Sequence, residues 1–341
     1  MSAFATPDDD QDHIPVRILG PAFVGRQREL AALREALSRP RTIALVEGEA
    51  GVGKSRLVRE LLASMPGRAR IPTAVCPPYR ESLTLGPIVD ALRQATENVR
   101  GLRLSGLAGA LRPVFPEWAG DLPPSPEPLE DAAAARHRLF RAFAELLDRL
   151  GVGLLVVEDA HWADDVTLEF LLFLVARQPQ GPSLLITYRP DEVPAGSLLL
   201  RLSSRPPADT VQVRLALDGL DVETTARLVS SMLEGRPLSA AFAAFLHERT
   251  DGIPHAVEEV VRLIHDRADL TRRGGEWVRR RLDSIHVPPT IRDAVLERAG
   301  RLQPDAQQVL RAAAVLAEPV DEATLIAVSE LSADRARAGL T

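Results

Sequence analysis

Gly48-Glu49-Ala50-Gly51-Val52-Gly53-Lys54-Ser55 directly follows the apolar run Thr42-Ile43-Ala44-Leu45-Val46-Glu47. The run is short, β-branched and bounded by Pro40 and by glycines, the pattern of a buried parallel strand. After Lys54, the residues Leu57, Val58, Leu61 and Leu62 recur at three- and four-residue spacing, which predicts a helix ending near Pro66-Gly67. The loop between them is Gly, four residues, Gly-Lys-Ser, the P-loop pattern. Glycines let a backbone curl around an anion, and the first amides of the helix point at it. Lys54 is the only lysine in a chain with 41 basic residues. A compact ammonium at that position would reach the β- and γ-phosphates of a nucleotide. Ser55 would place its hydroxyl on Mg²⁺. Ala50, Gly51, Val52, Gly53, Lys54, Ser55 and Arg56, with Gly48, are therefore the candidate phosphate-binding residues.

Around this unit, strand and helix patterns alternate. Arg26 to Ser38 reads as a helix, Ala69 to Cys76 as a strand, and Ile88 to Val99 as a helix. Leu102 to Leu111 is a weaker helical stretch. Arg112 to Pro128 carries six prolines and reads as an irregular insertion. Leu129 to Leu150 is a long amphipathic helix. Strands follow at 153–157, 183–188 and 211–215, with a helix over Val166 to Arg177. This alternation predicts an α/β unit: a P-loop NTPase parallel sheet with helices on both faces. From about Asp218 the pattern is helical, over Val222 to Leu233, Ala240 to Thr250 and His255 to Asp266. A hairpin with a Gly274-Gly275 turn is expected next. Pro288-Pro289 opens a last helical stretch, with helices over Ile291 to Leu302, Asp305 to Ala317 and Asp321 to Ser329. The expected organisation is a disordered acidic tail over 1–20, a P-loop domain over 21–217, a helical lid over 218–285 and a shorter helical region over 286–341.

Bulk properties narrow the classes. Net charge is −6, which argues against direct DNA binding by this chain. Cys76 is the single cysteine, so no intrachain disulfide can form, and a reducing, cytoplasmic setting is expected. No apolar run approaches the roughly 20 residues of a membrane span.

Leu154-Leu155-Val156-Val157-Glu158-Asp159 is an apolar strand ending in two carboxylates, the form of a Walker B motif. Glu158 and Asp159 are the candidate metal-side acids, with Ser55. Asp159 also takes the position that orients an attacking water. Arg189 closes the strand ending Thr187-Tyr188, where a guanidinium would read a γ-phosphate. Lys54, Asp159 and Arg189 are thus the candidate catalytic residues. His161 lacks partners at metal spacing, and Trp162 is expected to pack beneath the Walker B loop.

The run Glu158-Asp159-Ala160-His161-Trp162-Ala163-Asp164-Asp165 resembles the signature of STAND-class ATPases. It is most similar to the AAA-like ATPase module of large ATP-binding LuxR-type transcriptional regulators. Phe23-Val24-Gly25-Arg26-Gln27-Arg28-Glu29-Leu30 is similar to that family's entry motif, Leu185 to Glu192 to its sensor strand, and Gly252-Ile253-Pro254-His255 to its Gly-x-Pro element. Val287 to Arg292 is similar to the start of its winged-helix-like region, here expected to be truncated. The resemblance implies ATP or ADP with Mg²⁺, bound between the α/β and helical units. Val24, Gly25 and Pro254 would lie against adenine, and Arg26 would face the nucleotide. It implies a slow ATPase acting as a nucleotide-controlled switch, with self-association on ATP binding, and with effector and sensor domains outside this chain. Two other readings are open: a DNA-handling ATPase of the initiator or helicase-loader kind, and a metabolic kinase, for which no acceptor-site pattern is found.

Overall fold

The computed structural model describes residues 18–65, 71–78, 84–178, 181–204, 210–266, 270–273, 276–279, 299–300, 302–316 and 320–340. The expected helix over Ile291 to Leu302 and the motif at Val287 to Arg292 fall almost wholly outside these residues. The chain forms two compact units. One is Gly25–Asp218, and the other joins the N-terminal segment ending at Val24 to everything after Asp218.

The first unit is built on five parallel strands: β1 (Thr42–Glu47), β2 (Thr73–Val75), β3 (Leu154–Glu158), β4 (Ser183–Tyr188) and β5 (Val211–Ala216). Their order is β2-β3-β4-β1-β5. β4 is inserted between the P-loop strand and the Walker B strand, pairing Leu45 with Ile186 on one side and Val157 with Ile186 on the other. All three central strands are buried along most of their length, which is why they read as continuous apolar runs. Helices α1 (Gln27–Leu37), α2 (Lys54–Ala63), α3 (Gly86–Ala95), α4 (Ala132–Arg149), α5 (Asp165–Arg177) and α6 (Leu198–Ser204) connect them. The large core gathers Ile43 and Leu45 with Ile88, Phe143, Phe170 and Leu171.

The proline-rich insertion is irregular apart from one 3-10 turn at Pro116–Trp118, but it is not peripheral. Phe115, Trp118 and Leu122 are buried in the core. Trp118 stacks on Phe115 at 4.2 Å, and Phe115 meets Phe143 at 5.8 Å. The stretch before it forms a 3-10 helix, Gly106–Leu111, rather than an α-helix.

The second unit packs α7 (Val222–Met232), α8 (Ala240–Thr250) and α9 (Pro254–Asp266) around Leu228, Met232, Phe242, Leu246, Val257 and Val261. Strands β6 (Leu270–Arg273) and β7 (Glu276–Arg279) form the expected antiparallel hairpin, whose turn lies outside the described residues. Trp277 fills this core and donates from its indole to the Leu233 carbonyl at 3.1 Å. Residues 18–24 belong here too. Leu19 N–H donates to the Met232 carbonyl at 2.9 Å, Ala22 N–H to Ser231 Oγ at 3.0 Å, and Ile18 and Val24 pack on the core. Residues 18–20, expected in a disordered tail, and 21–24, expected with the P-loop domain, therefore pack with the helical unit. Among the described residues, helices follow at Pro304–Leu316, Glu322–Ser329 and Ala333–Leu340, with Arg335 paired to Asp305 and Arg337 to Glu322.

Candidate functional site

The site forms where β1, β3 and β4 end at the same edge of the sheet. The loop after β1 turns through Gly48, Gly51 and Gly53 at φ of 151°, 76° and 103°. These left-handed values are open to glycine and strained for other residues. A Cβ on Gly48 would also stand 2.6 Å from the Leu217 carbonyl. Gly53 precedes α2 with no side-chain cap on the helix N-terminus. Amides without a side-chain acceptor at a ten-residue helix start suit an anion. Val52 is buried, and Arg56 pairs along the helix with Glu60 at 3.1 Å.

Lys54 is buried, and its ammonium donates to the carbonyls of Gly48 at 2.7 Å and Glu49 at 2.8 Å. Burial holds its pKa below the ordinary lysine value. The pull of Asp159 opposes this, Arg189 adds to it, and Asp191 and Glu192 oppose it. Lys54 thus sits within the electrostatic reach of every charged group at the end of β4.

The Walker B pair splits at the end of β3. Glu158 is the last strand residue and is buried, with the Ser55 side chain beside it. Burial raises its pKa and Asp159 adds to that, while the Ser55 side chain and the charge of Arg59 oppose it. Asp159 leaves the strand at φ 54°, a left-handed conformation that Asp tolerates better than most residues. Its N–H donates to Thr187 Oγ1 at 3.0 Å, so the neighbouring strand fixes the turn. Among the described residues no three His, Cys, Asp or Glu side chains gather as a metal site. Mg²⁺ suits such a place, because it takes few protein ligands and keeps waters and phosphate oxygens.

Arg189 follows β4 and enters a cluster that the sequence did not single out. Its Nη1 donates to Glu192 Oε1, and its guanidinium lies over the Trp162 indole, 4.9 Å from the ring centre. Trp162 Nε1 donates to Glu192 Oε2 at 3.1 Å. One residue earlier, Tyr188 donates its hydroxyl to Glu47, which also accepts from Arg214 at 2.6 Å. These bonds tie the ends of β4, β1 and β5 together. The signals for Thr187, Tyr188 and Glu47 were their places at strand ends, and for Glu192 its place in the 3-10 turn just after β4.

The structure brings Gly48, the loop glycines, Lys54, Ser55, Glu158, Asp159 and Arg189 to this edge. The other expected contacts are placed as follows. Gly25 is buried ahead of α1, and Arg26, at φ 64°, gives its guanidinium to Glu29 and to the Asp218 carbonyl. Val24 packs on the helical core, and Pro254 is the first residue of α9. Gly252 before it has φ 67°, and a Cβ there would stand 1.9 Å from the Leu220 carbonyl. That close approach, sealed by a 2.7 Å bond from Leu220 N–H to the Gly252 carbonyl, is the physical reason for glycine in the Gly-Ile-Pro element.

Residues 22–186 match the AAA ATPase domain family. The chain carries an AAA-type P-loop ATPase domain. An uncharacterized protein of Rhizobium meliloti is 25% identical over 327 residues, covering 87% of this chain and 30% of its own length. The chain therefore spans about a third of that curated relative. Among solved structures, a Walker-type ATPase of Pyrococcus abyssi is similar at 18% identity, with 90% of this chain and 88% of that chain covered and a TM-score of 0.45. RuvB of Thermotoga maritima is similar at 14% identity, with 92% and 84% covered and a TM-score of 0.35. Among the described residues, no helix is long and apolar enough to cross a membrane.

Proposed function

We propose that this chain is an ATP-binding, slowly hydrolysing STAND-type ATPase that works as a nucleotide-controlled switch, the regulatory module of a LuxR-type transcriptional regulator. The observation that carries the reading is the position of Arg189. It directly follows the strand that lies between the P-loop strand and the strand ending at Glu158, and its guanidinium lies 4.9 Å over the Trp162 ring, three residues past Asp159. A cation there meets the terminal phosphate of ATP, and ADP offers it nothing.

In this reading the P-loop amides and Lys54 bind the phosphates. Ser55 and the neighbouring Glu158 would hold Mg²⁺, which would neutralise phosphate charge. Asp159, aimed by its left-handed backbone and by Thr187, orients a water. The readout leaves through Leu217 and Asp218. Leu217 N–H bonds the Glu47 carbonyl at 2.8 Å, just before the P-loop, and Arg26, at the start of α1, holds the Asp218 carbonyl, so the segment leading to the helical unit is tied to the P-loop strand and to α1. Cytoplasmic location, self-association on ATP binding, and adenine contacts from Val24, Gly25 and Pro254 are parts of the same proposal.

The test is to release nucleotide from purified protein, identify it by chromatography, and then follow phosphate production with and without DNA. Retained ADP with slow, DNA-indifferent turnover is expected. An empty site with brisk DNA-stimulated turnover would favour a DNA-handling ATPase.

A further inference from the structure

Glu192 is a carboxylate with three neighbours. Its Oε1 accepts from Arg189 Nη1 at 2.5 Å, its Oε2 accepts from Trp162 Nε1 at 3.1 Å, and His161 Nε2 lies 3.5 Å from that same oxygen. The Arg189 and Glu192 side chains are 22% and 35% exposed, so the pair is reachable from solvent. The His161 side chain is fully buried, and neither ring nitrogen has a hydrogen-bond partner. Its ring lies 4.5 Å from that of Trp162.

A guanidinium fork recognises carboxylate and phosphate by the same geometry. The cation assigned above to the γ-phosphate is therefore already held by an anion of the chain. Phosphate and Glu192 compete for it. Glu192 is not left unpartnered by the exchange, because Trp162 keeps one oxygen and the unpaired His161 ring faces it.

We infer that Glu192 is the residue that sets how strongly the site prefers ATP over ADP, by holding Arg189 until a γ-phosphate replaces it. The inference rests on the reading of Arg189 as the γ-phosphate sensor. Glu192 acts through Arg189 and is a positioning residue. ADP does not compete for Arg189, so Glu192 leaves its affinity alone.

The experiment is calorimetric titration of the full chain with ADP and with a non-hydrolysable ATP analogue, each with Mg²⁺. It compares wild type, Glu192→Gln, Glu192→Asp, Arg189→Ala and the Arg189→Ala/Glu192→Gln double variant, with thermal midpoints confirming folding. Glu192→Gln keeps the shape and the Trp162 bond and removes the charge. It should raise the preference for the analogue over ADP by about threefold to fivefold, the scale of a part-exposed ion pair. ADP affinity should stay within about twofold. Glu192→Asp should restore the wild-type preference in part, and Glu192→Gln should change nothing in the Arg189→Ala background. A Glu192→Gln variant that alters both nucleotides equally, or neither, while Arg189→Ala still costs the analogue alone, overturns the inference and leaves the sensor intact. Equal losses in Arg189→Ala overturn the sensor and the inference with it.

Discussion

The backbone N–H of Asp159 donates to the Thr187 hydroxyl at 3.0 Å, so the strand that leads into Arg189 also holds the turn after β3. Both residues sit at the edge where β3 and β4 end, and Thr187 is fully buried. Thr187→Val removes the acceptor and keeps the shape. An unpaired buried amide costs about 1–3 kcal/mol. Turnover should fall by about tenfold, the effect of roughly 1.4 kcal/mol on the barrier. ADP affinity should hold, as a comparison of steady-state rate and calorimetric Kd will read.

Lys54→Ala should abolish tight nucleotide binding. Charge-assisted bonds of this kind contribute about 1.5–3 kcal/mol each. The rise in Tm caused by saturating ATP in the wild type should disappear. Undiminished stabilisation by ATP would show that the loop is not the phosphate site.

Glu158 and Asp159 should separate in kinetics. Asp159→Asn should keep ATP affinity and slow hydrolysis, because it removes the group that orients water. Glu158→Gln should shift the Mg²⁺ concentration that supports half-maximal turnover, since the Glu158 carboxylate lies beside Ser55. The reverse pattern would exchange the two roles.

Acid should weaken the Glu47 hub. Burial alone would raise the Glu47 carboxyl, but the bonds from Arg214 and Tyr188 outweigh it and hold the group below the ordinary glutamate value. A depressed folded pKa adds stability above the unfolded value, near 4.5, and loses it as pH falls through the folded one. Glu47→Gln should therefore be less stable than wild type at neutral pH, by about 1 kcal/mol given the exposed Arg214. The gap should close as pH drops well below 4.5. Urea unfolding at a series of pH values measures it.

Much of this site was legible because its signals are local. The run Thr42 to Glu47 shows its burial on both faces as unbroken apolar residues, and the glycines at 48, 51 and 53 announce backbone that only they adopt easily. Glu158 and Asp159 were readable as the end of a buried strand. What was hidden depends on contacts between residues distant in sequence. Residues 18–24 carry no periodic pattern, and their attachment to Met232 and Ser231 is a matter of folded geometry. Trp118 lies among prolines, where the signal says only irregular backbone, although its ring closes the core against Phe115. Glu192 closes the run similar to a sensor strand, but its place beside Trp162 needs the 3-10 turn at Ala160–Trp162 to be brought against the end of β4. The motif at Val287 to Arg292 lies outside the described residues.

The most direct test of the switch is the affinity of Arg189→Ala for ADP and for a non-hydrolysable ATP analogue, measured by calorimetry under identical Mg²⁺ conditions. A ligand shifts a conformational equilibrium only through its differential affinity for the two states. If Arg189 reads the γ-phosphate, the variant should lose roughly tenfold or more for the analogue, since a charge-assisted bond is worth about 1.5–3 kcal/mol. ADP binding should remain close to wild type. Equal losses for the two nucleotides, or none for either, would contradict a γ-phosphate sensor at the end of β4.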